Sequence, residues 1–265
     1  MQRHRTVRFL PALIAGALFL AGLSSTMIAE AQALPPASPN AVLVELFTSE
    51  GCSSCPPADD LLRQINGRET GQRQLIVGIS EHVTYWNRLG WADPYSSTVF
   101  TQRQSAYGTH FGLDSVYTPQ MVIGGREQIV GSDAAALRSA LLVESRAKQI
   151  ELRIVSDEVS ADSLTIHFSA QKTVSGQALE IMAVVTDDTD RSNVLRGENA
   201  GRALQHVAVA RALMHLATIS ADSEQTLHIA LPASAFANKA TGHHLILFAQ
   251  SSRTGYVVGV DTKPL

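Results

Sequence analysis

Two cysteines separated by two serines are the residues of this chain best suited to covalent chemistry. Cys52 and Cys55 are the only cysteines among the 265 residues. A disulfide between them would close a very short loop and add little stability, because the entropic gain grows with the length of the closed loop. We therefore expect the pair to take part in thiol–disulfide exchange rather than to serve as a structural link.

The residues that follow predict that the cysteines stand at the start of a helix. Apolar side chains recur there at helical spacing, at Ala58, Leu61, Leu62 and Ile65. The helix dipole and unpaired amides favour negative charge at a helix N-terminus and so lower the pKa of a thiol. Cys52 is predicted to attack a substrate disulfide and Cys55 to resolve the mixed disulfide. The two serines between the cysteines do not indicate whether the pair oxidises or reduces its substrates.

The surrounding pattern predicts a β-α-β unit. Residues 41–47 are apolar except for Glu45, which is typical of a buried strand, and residues 74–79 form a second apolar run. The cysteines and their helix lie between these two strands. A Cys-x-x-Cys motif in this setting indicates a thioredoxin-like domain.

A proline further along the chain supports this interpretation. Thr118 and Pro119 come directly before a short apolar run at residues 121–123. In the thioredoxin fold a cis proline at this point lies beside the cysteine pair, and the backbone before it pairs with an extended substrate. We therefore predict a cis peptide bond before Pro119, although only about 5–6% of such bonds in folded proteins are cis, and a substrate-binding role for Thr118.

Four other side chains are candidate site residues. Glu45 either lies beneath the cysteines and relays protons, with a pKa raised by burial, or faces solvent at the strand end. His82, Trp86 and Trp91 either form one wall of a pocket that holds a peptide or small thiol, or belong to the packed core. Both alternatives are open for each group.

The rest of the chain predicts a second domain. Residues 80–113 are less regular and are expected to form a mostly helical insertion. From residue 149 onward apolar and polar residues alternate with a period of two, which is typical of an antiparallel sandwich or barrel. The expected fold class is an α/β thioredoxin-like N-terminal domain, residues 34–148, followed by an all-β, sandwich-like C-terminal domain, residues 149–265.

The first residues predict export. Residues 1–33 combine a basic start, an apolar run at 9–23 and a small-x-small triplet at 31–33, as in a cleaved signal peptide. An uncleaved membrane anchor is the alternative. We expect a periplasmic or secreted bacterial protein without stable membrane association after cleavage.

The charge balance excludes one class of partner. Without the leader, which holds three arginines and one glutamate, 18 basic residues remain against 23 acidic residues. A basic surface that could bind nucleic acid is therefore not expected. The expected partners are exported proteins or small-molecule thiols and disulfides.

Several motifs resemble a bacterial family of secreted thioredoxin-like proteins that is known as a domain of unknown function. They are residues 44–59, His82-Val83 with Tyr85-Trp86, Gly90-Trp91, Asp93-Pro94, residues 117–120, residues 197–202, and His206 to Arg211. The resemblance covers nearly the whole mature chain and implies a thioredoxin-like fold and export, but no substrate. The chain departs from the family pattern at Thr84 and Asn87, where acidic residues are expected. A solvated hairpin with charge pairs accounts for Glu198, Arg202, His206 and Arg211.

Three functions are open at this point. The favoured one is a thiol–disulfide oxidoreductase without cofactor or resident metal. The second is a metal-binding or delivery protein, because Cys52 and Cys55 with His82 or His110 would suit a soft ion such as Cu(I). The third is a binding protein without turnover. A serine hydrolase is not supported, because the chain has no nucleophile-elbow pattern.

Overall fold

The structure, a computed structural model, describes residues 40–160, 162–171 and 176–265. Its elements are β1 Ala41–Thr48, α1 Pro56–Ile65, β2 Leu75–His82, α2 Thr98–His110, β3 Gln120–Ile123, β4 Glu127–Val130, α3 Ala134–Glu144, β5 Glu151–Val159, β6 Ser163–Gln171, β7 Leu179–Asn193, β8 Ala203–Ile219, β9 Ser223–Ala230, β10 His243–Ser251 and β11 Val257–Pro264. The predicted signal peptide, residues 1–33, lies outside the described residues. Within the described ranges, no helix is both long and apolar enough to cross a membrane.

One large sheet contains strands from both ends of the chain. Its eight strands lie in the order β11-β10-β7-β8-β2-β1-β3-β4, and β5, β6 and β9 form a separate three-stranded sheet. The two halves of the large sheet meet where β8 runs parallel to β2, with Val209 opposite Ser80. The C-terminal strands thereby reach the edge of the strand that follows the cysteine helix.

This topology shows that the expected fold class is wrong. An α/β thioredoxin-like domain followed by a separate sandwich would keep the N-terminal strands in a sheet of their own. Instead, β7, β8, β10 and β11 extend the sheet beyond β2, and the molecule is mostly β. The physical reason is that an edge strand presents unpaired N–H and C=O groups, and any strand of suitable register can satisfy them. A two-residue period shows which face of a strand is buried but not which strand it pairs with.

The expected helical insertion is also wrong. Between β2 and β3 the chain forms a short 3₁₀ helix, Asn87–Leu89, and then α2. The Ser97 side chain caps α2 by accepting from the N–H of Val99, so this helix begins only at Thr98. Phe100 of α2 packs against the large sheet, so α2 is a layer of the fold and not an addition to it.

The predicted β-α-β unit is confirmed, because β1 and β2 are parallel and are connected through α1. β3 and β4 form an antiparallel hairpin. Asp133 caps α3, because its carboxylate accepts from the N–H groups of Ala135 and Ala136 at 3.0 and 2.9 Å.

Apolar side chains cover both faces of the large sheet. On one face, Val44 and Leu46 of β1 pack against α1 and α3. On the opposite face, Leu43 packs with Phe100 of α2. The small sheet presents a row of apolar side chains, including Phe168 of β6, to β7 and β10. Each large side chain fully buried in this way stabilises the fold by roughly 1.5–3 kcal/mol.

A buried ionic cluster interrupts the apolar layer beneath α2. The guanidinium of Arg103 forms an ion pair with Glu45 and lies 3.6 Å from a carboxylate oxygen of Glu81. The hydroxyl of Tyr107 donates to Glu45 at 2.6 Å. Burial and the nearby charge of Glu45 raise the pKa of Glu81 well above its ordinary value, although Arg103 opposes the shift. A single guanidinium thus faces two buried carboxyl groups.

We expect Arg103→Met to lower the free energy of unfolding by about 3–5 kcal/mol, because it leaves Glu45 buried without a cation. Urea unfolding measures this change. The matched control is Arg63→Met, which removes an exposed pair with Asp60 and should change stability by less than about 1 kcal/mol. Equal losses in the two variants would contradict the assignment of Arg103 as the compensating charge.

Candidate active site

The two cysteines are bonded to each other in the turn between β1 and α1. The N–H of Cys52 donates to the carbonyl of Ser49 at 3.1 Å, and the N–H of Cys55 donates to the carbonyl of Cys52 at 3.2 Å. Cys55 is the N-cap residue of α1. The pair lies at the start of a helix, as predicted, but both cysteines are 0% exposed. We call residues 49–55 the cysteine turn.

The start of α1 offers fewer amide donors than most helices. Pro56 and Pro57 fill its first two positions, and proline has no N–H. The next amide, that of Ala58, donates to the carbonyl of Cys55 at 2.8 Å. The hydroxyl of Ser54 lies 3.3 Å from the sulfur of Cys52. A thiolate at Cys52 would therefore be stabilised by the helix dipole and this hydroxyl rather than by a row of free amides.

The predicted proline lies beside the cysteine helix. The peptide bond between Thr118 and Pro119 is cis, as predicted. The carbonyl of Pro119 accepts from the N–H of Gly131 at 2.9 Å. A Cβ built on Gly131 would be 3.0 Å from the Cβ of Pro119 and 3.1 Å from that of Ala58. Pro119 and the first turn of α1 thus meet at a position where only glycine fits.

Both tryptophans lie next to the cysteine turn. The indole N–H of Trp86 donates to the hydroxyl of Thr118 at 2.7 Å, and a Cβ built on Gly51 would lie 3.2 Å from the Cβ of Trp86. The indole N–H of Trp91 donates to Glu50 at 2.7 Å. Both side chains are partly exposed. The structure therefore brings Trp86, Trp91 and Thr118 together around the turn.

Glu45 does not belong to the group of side chains around the cysteine turn. Successive side chains of a strand point to opposite faces, and its neighbours Val44 and Leu46 face α1. Glu45 therefore faces α2, where Arg103 and Tyr107 hold it. It is 0% exposed, so the alternative of a solvent-facing carboxylate is wrong.

Glu50 is the carboxylate that supports the cysteine turn. It is 0% exposed. Besides the indole of Trp91, its side chain accepts a hydrogen bond from the hydroxyl of Ser192 and lies 3.3 Å from Nε2 of His206. Its backbone N–H donates to Asp93 at 2.8 Å. Sequence reasoning did not single out Glu50, although it stands only two residues before Cys52.

His206 supplies a positive charge next to this carboxylate. Its ring also lies 3.8 Å from Asp59 of α1, which in turn accepts from the hydroxyl of Thr48 at 2.9 Å. Burial lowers the pKa of His206, but the nearby carboxylates of Asp59 and Glu50 outweigh it and raise the pKa to about 10. The imidazole is therefore protonated at neutral pH.

His82 belongs to the same buried group rather than to an open pocket wall. It is 0% exposed, and its Nδ1 donates to Asp93 at 2.7 Å. Its ring centre lies 4.7 Å from that of His206 and 5.3 Å from that of Tyr95. Burial raises the pKa of Asp93, but the interaction with His82 and the hydrogen bonds from the backbone N–H groups of Glu50 and Tyr95 together lower it. Of the proposed pocket wall, only the two tryptophans are accessible.

The hairpin of β7 and β8 contributes side chains that sequence reasoning did not assign to the site. The side-chain amide of Asn199 donates to the carbonyls of Glu50 and Cys52, both at 2.9 Å. Glu198 accepts from the N–H and hydroxyl of Ser53 at 3.1 and 2.6 Å. The expected solvated hairpin is wrong for His206, which is 2% exposed. The signal in the sequence was that residues 197–202 belong to the motifs that resemble the family.

The described residues offer no ligand set for the metal-binding alternative. In the described part of the chain, no group of three or more His, Cys, Asp or Glu side chains could hold a metal ion. His110 lies at the end of α2, with its ring centre 6.1 Å from that of Tyr256. Nδ1 of His82 is bound to Asp93.

The family model for the protein of unknown function (DUF1223) matches residues 43–250. The chain belongs to the DUF1223 family. The matched range includes the cysteine turn, Pro119 and the β7–β8 hairpin, so the geometry described above lies within the family region. Among curated proteins, none matches this DUF1223 protein with significance.

A solved structure from Agrobacterium tumefaciens, protein AGR_C_4864, is similar to this DUF1223 protein. The two are 26% identical, the match covers 84% of this chain and 93% of the other, and the TM-score is 0.60. A DUF3823 family protein from Bacteroides ovatus is 14% identical over 44% of this chain and 53% of the other, with a TM-score of 0.30. That second likeness is too weak to support an argument.

We expect His206→Gln to destabilise this DUF1223 protein in a pH-dependent way. Because folding raises the pKa of His206 from about 6.5 to about 10, its contribution is complete below pH 6.5 and is lost as the pH rises through 10. Urea unfolding should show a loss of roughly 3–5 kcal/mol at pH 6 and a smaller loss above pH 10.

The control for this experiment is His228→Gln, which changes an exposed histidine of β9. Its effect should be below about 0.5 kcal/mol at both pH values. A loss in the His206 variant that is the same at pH 6 and above pH 10 would contradict a charged imidazole.

Proposed function

We propose that this protein is an exported thiol–disulfide oxidoreductase that uses Cys52 and Cys55. The observation that supports the proposal is their disulfide at the start of α1, the helix whose first turn meets Pro119 at Gly131. A bridge between residues three positions apart contributes little loop entropy, so structural need does not explain it. The cysteine turn is instead fixed by Glu50, Asp93 and Asn199, as a reactive group needs.

The reaction starts from the disulfide when a substrate thiolate attacks the sulfur of Cys52. The S–S bond breaks, Cys55 leaves as a thiolate, and the substrate is joined to Cys52 in a mixed disulfide. A second substrate thiolate attacks the substrate sulfur, and Cys52 leaves. Two electrons pass from the substrate dithiol to the cysteine pair, which takes up the two protons that the dithiol released.

The reverse reaction reduces a substrate disulfide. Cys52 attacks the substrate disulfide as a thiolate, Cys55 resolves the mixed disulfide, and the pair returns to the oxidised form. The substrate gains two electrons and two protons. An external dithiol must then reduce the pair again, whereas in the oxidising direction an external disulfide must reoxidise it.

The partly exposed tryptophans and Thr118 mark the place where a substrate would lie. Trp86 and Trp91 present amphipathic surfaces that suit a peptide or a small thiol. We propose exported proteins or small thiols as substrates, because disulfides persist outside the cytosol. Export itself rests on the sequence of residues 1–33.

One observation favours a second candidate, a binding protein without turnover. Both cysteines are 0% exposed, and a disulfide that no thiol reaches is a permanent crosslink. In that case the tryptophans and the β7–β8 hairpin would bind a partner, and the oxidation state of the cysteines would not change.

Trapping of mixed disulfides tests the first proposal. Cys55→Ala leaves Cys52 without its resolving partner, so it should accumulate a mixed disulfide with an added peptide disulfide, at least tenfold more than Cys52→Ala does. Mass spectrometry measures the adduct, and the two single-cysteine variants serve as matched controls for each other. Equal amounts of adduct in the two variants would refute the assignment of Cys52 as the attacking thiol.

A redox titration separates the two candidates. In glutathione buffers the unaltered protein should change between disulfide and dithiol with a defined midpoint, which alkylation of free thiols detects. A disulfide that stays intact at every potential of the series would support the binding protein instead.

A further inference from the structure

The chain between β7 and β8 forms a compact turn, residues 194–202, which we call the hairpin tip. The N–H of Val194 donates to the carbonyl of Arg202 at 3.0 Å, and the N–H of Gly201 donates back to the carbonyl of Val194 at 2.8 Å. Gly197 and Gly201 both adopt positive φ, 77° and 80°, which residues with a Cβ rarely adopt. The tip is therefore a closed unit with a glycine on each side of its centre.

Asn199 is the part of the hairpin tip that points inward. It is 1% exposed, whereas its sequence neighbours Glu198 and Ala200 are exposed. Its amide bridges two carbonyls of the cysteine turn, and Arg202 donates to its side-chain oxygen at 2.9 Å. Arg202 thus holds the amide in the orientation that binds the turn.

Glu198 forms a second attachment between the same two segments. Its carboxylate accepts both the N–H and the hydroxyl of Ser53. These hydrogen bonds lower the pKa of Glu198, so the carboxylate is ionised at neutral pH. Asn199 and Glu198 therefore bind the residues on both sides of the Cys52–Ser53 peptide bond.

We propose that the hairpin tip is a cover over the disulfide, and that Asn199 and Glu198 determine which thiols reach Cys52. This inference rests on the proposed oxidoreductase function, since a cover restricts access only to a group that reacts. It explains how a disulfide with two fully buried cysteines exchanges with a substrate. The tip detaches, a thiol enters, and the hydrogen bonds of Asn199 and Glu198 form again afterwards.

The cover makes the reaction depend on a local opening. When opening is fast and only the open form reacts, the observed rate is the intrinsic rate multiplied by the open fraction. Each hydrogen bond that holds the tip lowers that fraction. A larger thiol needs a wider opening than a small one, so the cover discriminates by size.

Reduction kinetics test the proposal without requiring turnover of a natural substrate. The probes are dithiothreitol and a dithiol coupled to a polyethylene glycol chain, and the fluorescence of Trp86 and Trp91, the only two tryptophans, follows the reaction. Asn199→Ala should speed reduction by dithiothreitol on the order of tenfold, because two hydrogen bonds to the turn are lost. Glu198→Ala should speed it by roughly threefold to tenfold.

The rate with the larger dithiol should rise more than the rate with dithiothreitol in both variants. Reoxidation by an added disulfide should speed up as well, because a cover hinders both directions. Loss of size discrimination is a result that a merely destabilised protein would not give in native buffer.

Two controls distinguish local opening from general weakening. Asn238→Ala removes another asparagine hydrogen bond, to Asp190 at 2.7 Å, and Glu224→Ala removes an exposed carboxylate of β9 that pairs with His167. Neither should change the reduction rate by more than about twofold. Reduction through the open tip should also be nearly independent of low urea concentrations, whereas reduction through global unfolding rises steeply with urea.

The outcomes separate the two proposals. Unchanged reduction rates in both Asn199→Ala and Glu198→Ala overturn the cover, even if the protein turns over substrate. Faster reduction in these variants without mixed disulfides in Cys55→Ala keeps the cover and rejects the oxidoreductase. If Asn199→Ala does not fold, the reduction rate of Glu198→Ala, which changes an exposed residue, decides the test by itself.

Discussion

The structure around the disulfide depends on the buried negative charge of Glu50. A carboxylate without access to water must find hydrogen bonds and a positive charge nearby. Trp91 supplies a hydrogen bond from the loop after β2, and Ser192 and His206 supply a hydrogen bond and the positive charge from the β7–β8 hairpin. The hydrogen bonds and the positive charge that Glu50 needs therefore fix the position of the cysteine turn relative to a hairpin that lies about 150 residues further along the sequence.

The pairing of β8 with β2 makes this arrangement geometrically available. It brings the β7–β8 hairpin alongside α1, so that His206 meets Asp59 and the hairpin tip meets Cys52. The cysteine turn is thus enclosed by elements from both ends of the chain. Access to the disulfide becomes a property of the whole large sheet rather than of the first strand and helix alone.

Local pattern was a good guide where interactions are local. The strand before the cysteines and the helix after them follow from side-chain periodicity within a few residues. It failed where partners are distant. Val44 and Leu46 of β1 face the cysteine helix α1, whereas Glu45 between them faces α2. A shift of one residue along a strand moves a side chain to the other face of the sheet.

The sequence by itself determined the cysteine pair, the helix that follows it and the proline that lies beside that helix. These features depend on residue type and on spacing along a short stretch. Only the tertiary structure decided that the C-terminal strands extend the sheet that contains β1 and β2. It also decided that Glu50 rather than Glu45 supports the cysteine turn, and that Asn199 binds the carbonyls of that turn. The physical reason is that edge-strand pairing and compensation of buried charge join residues whose sequence separation carries no periodic signal.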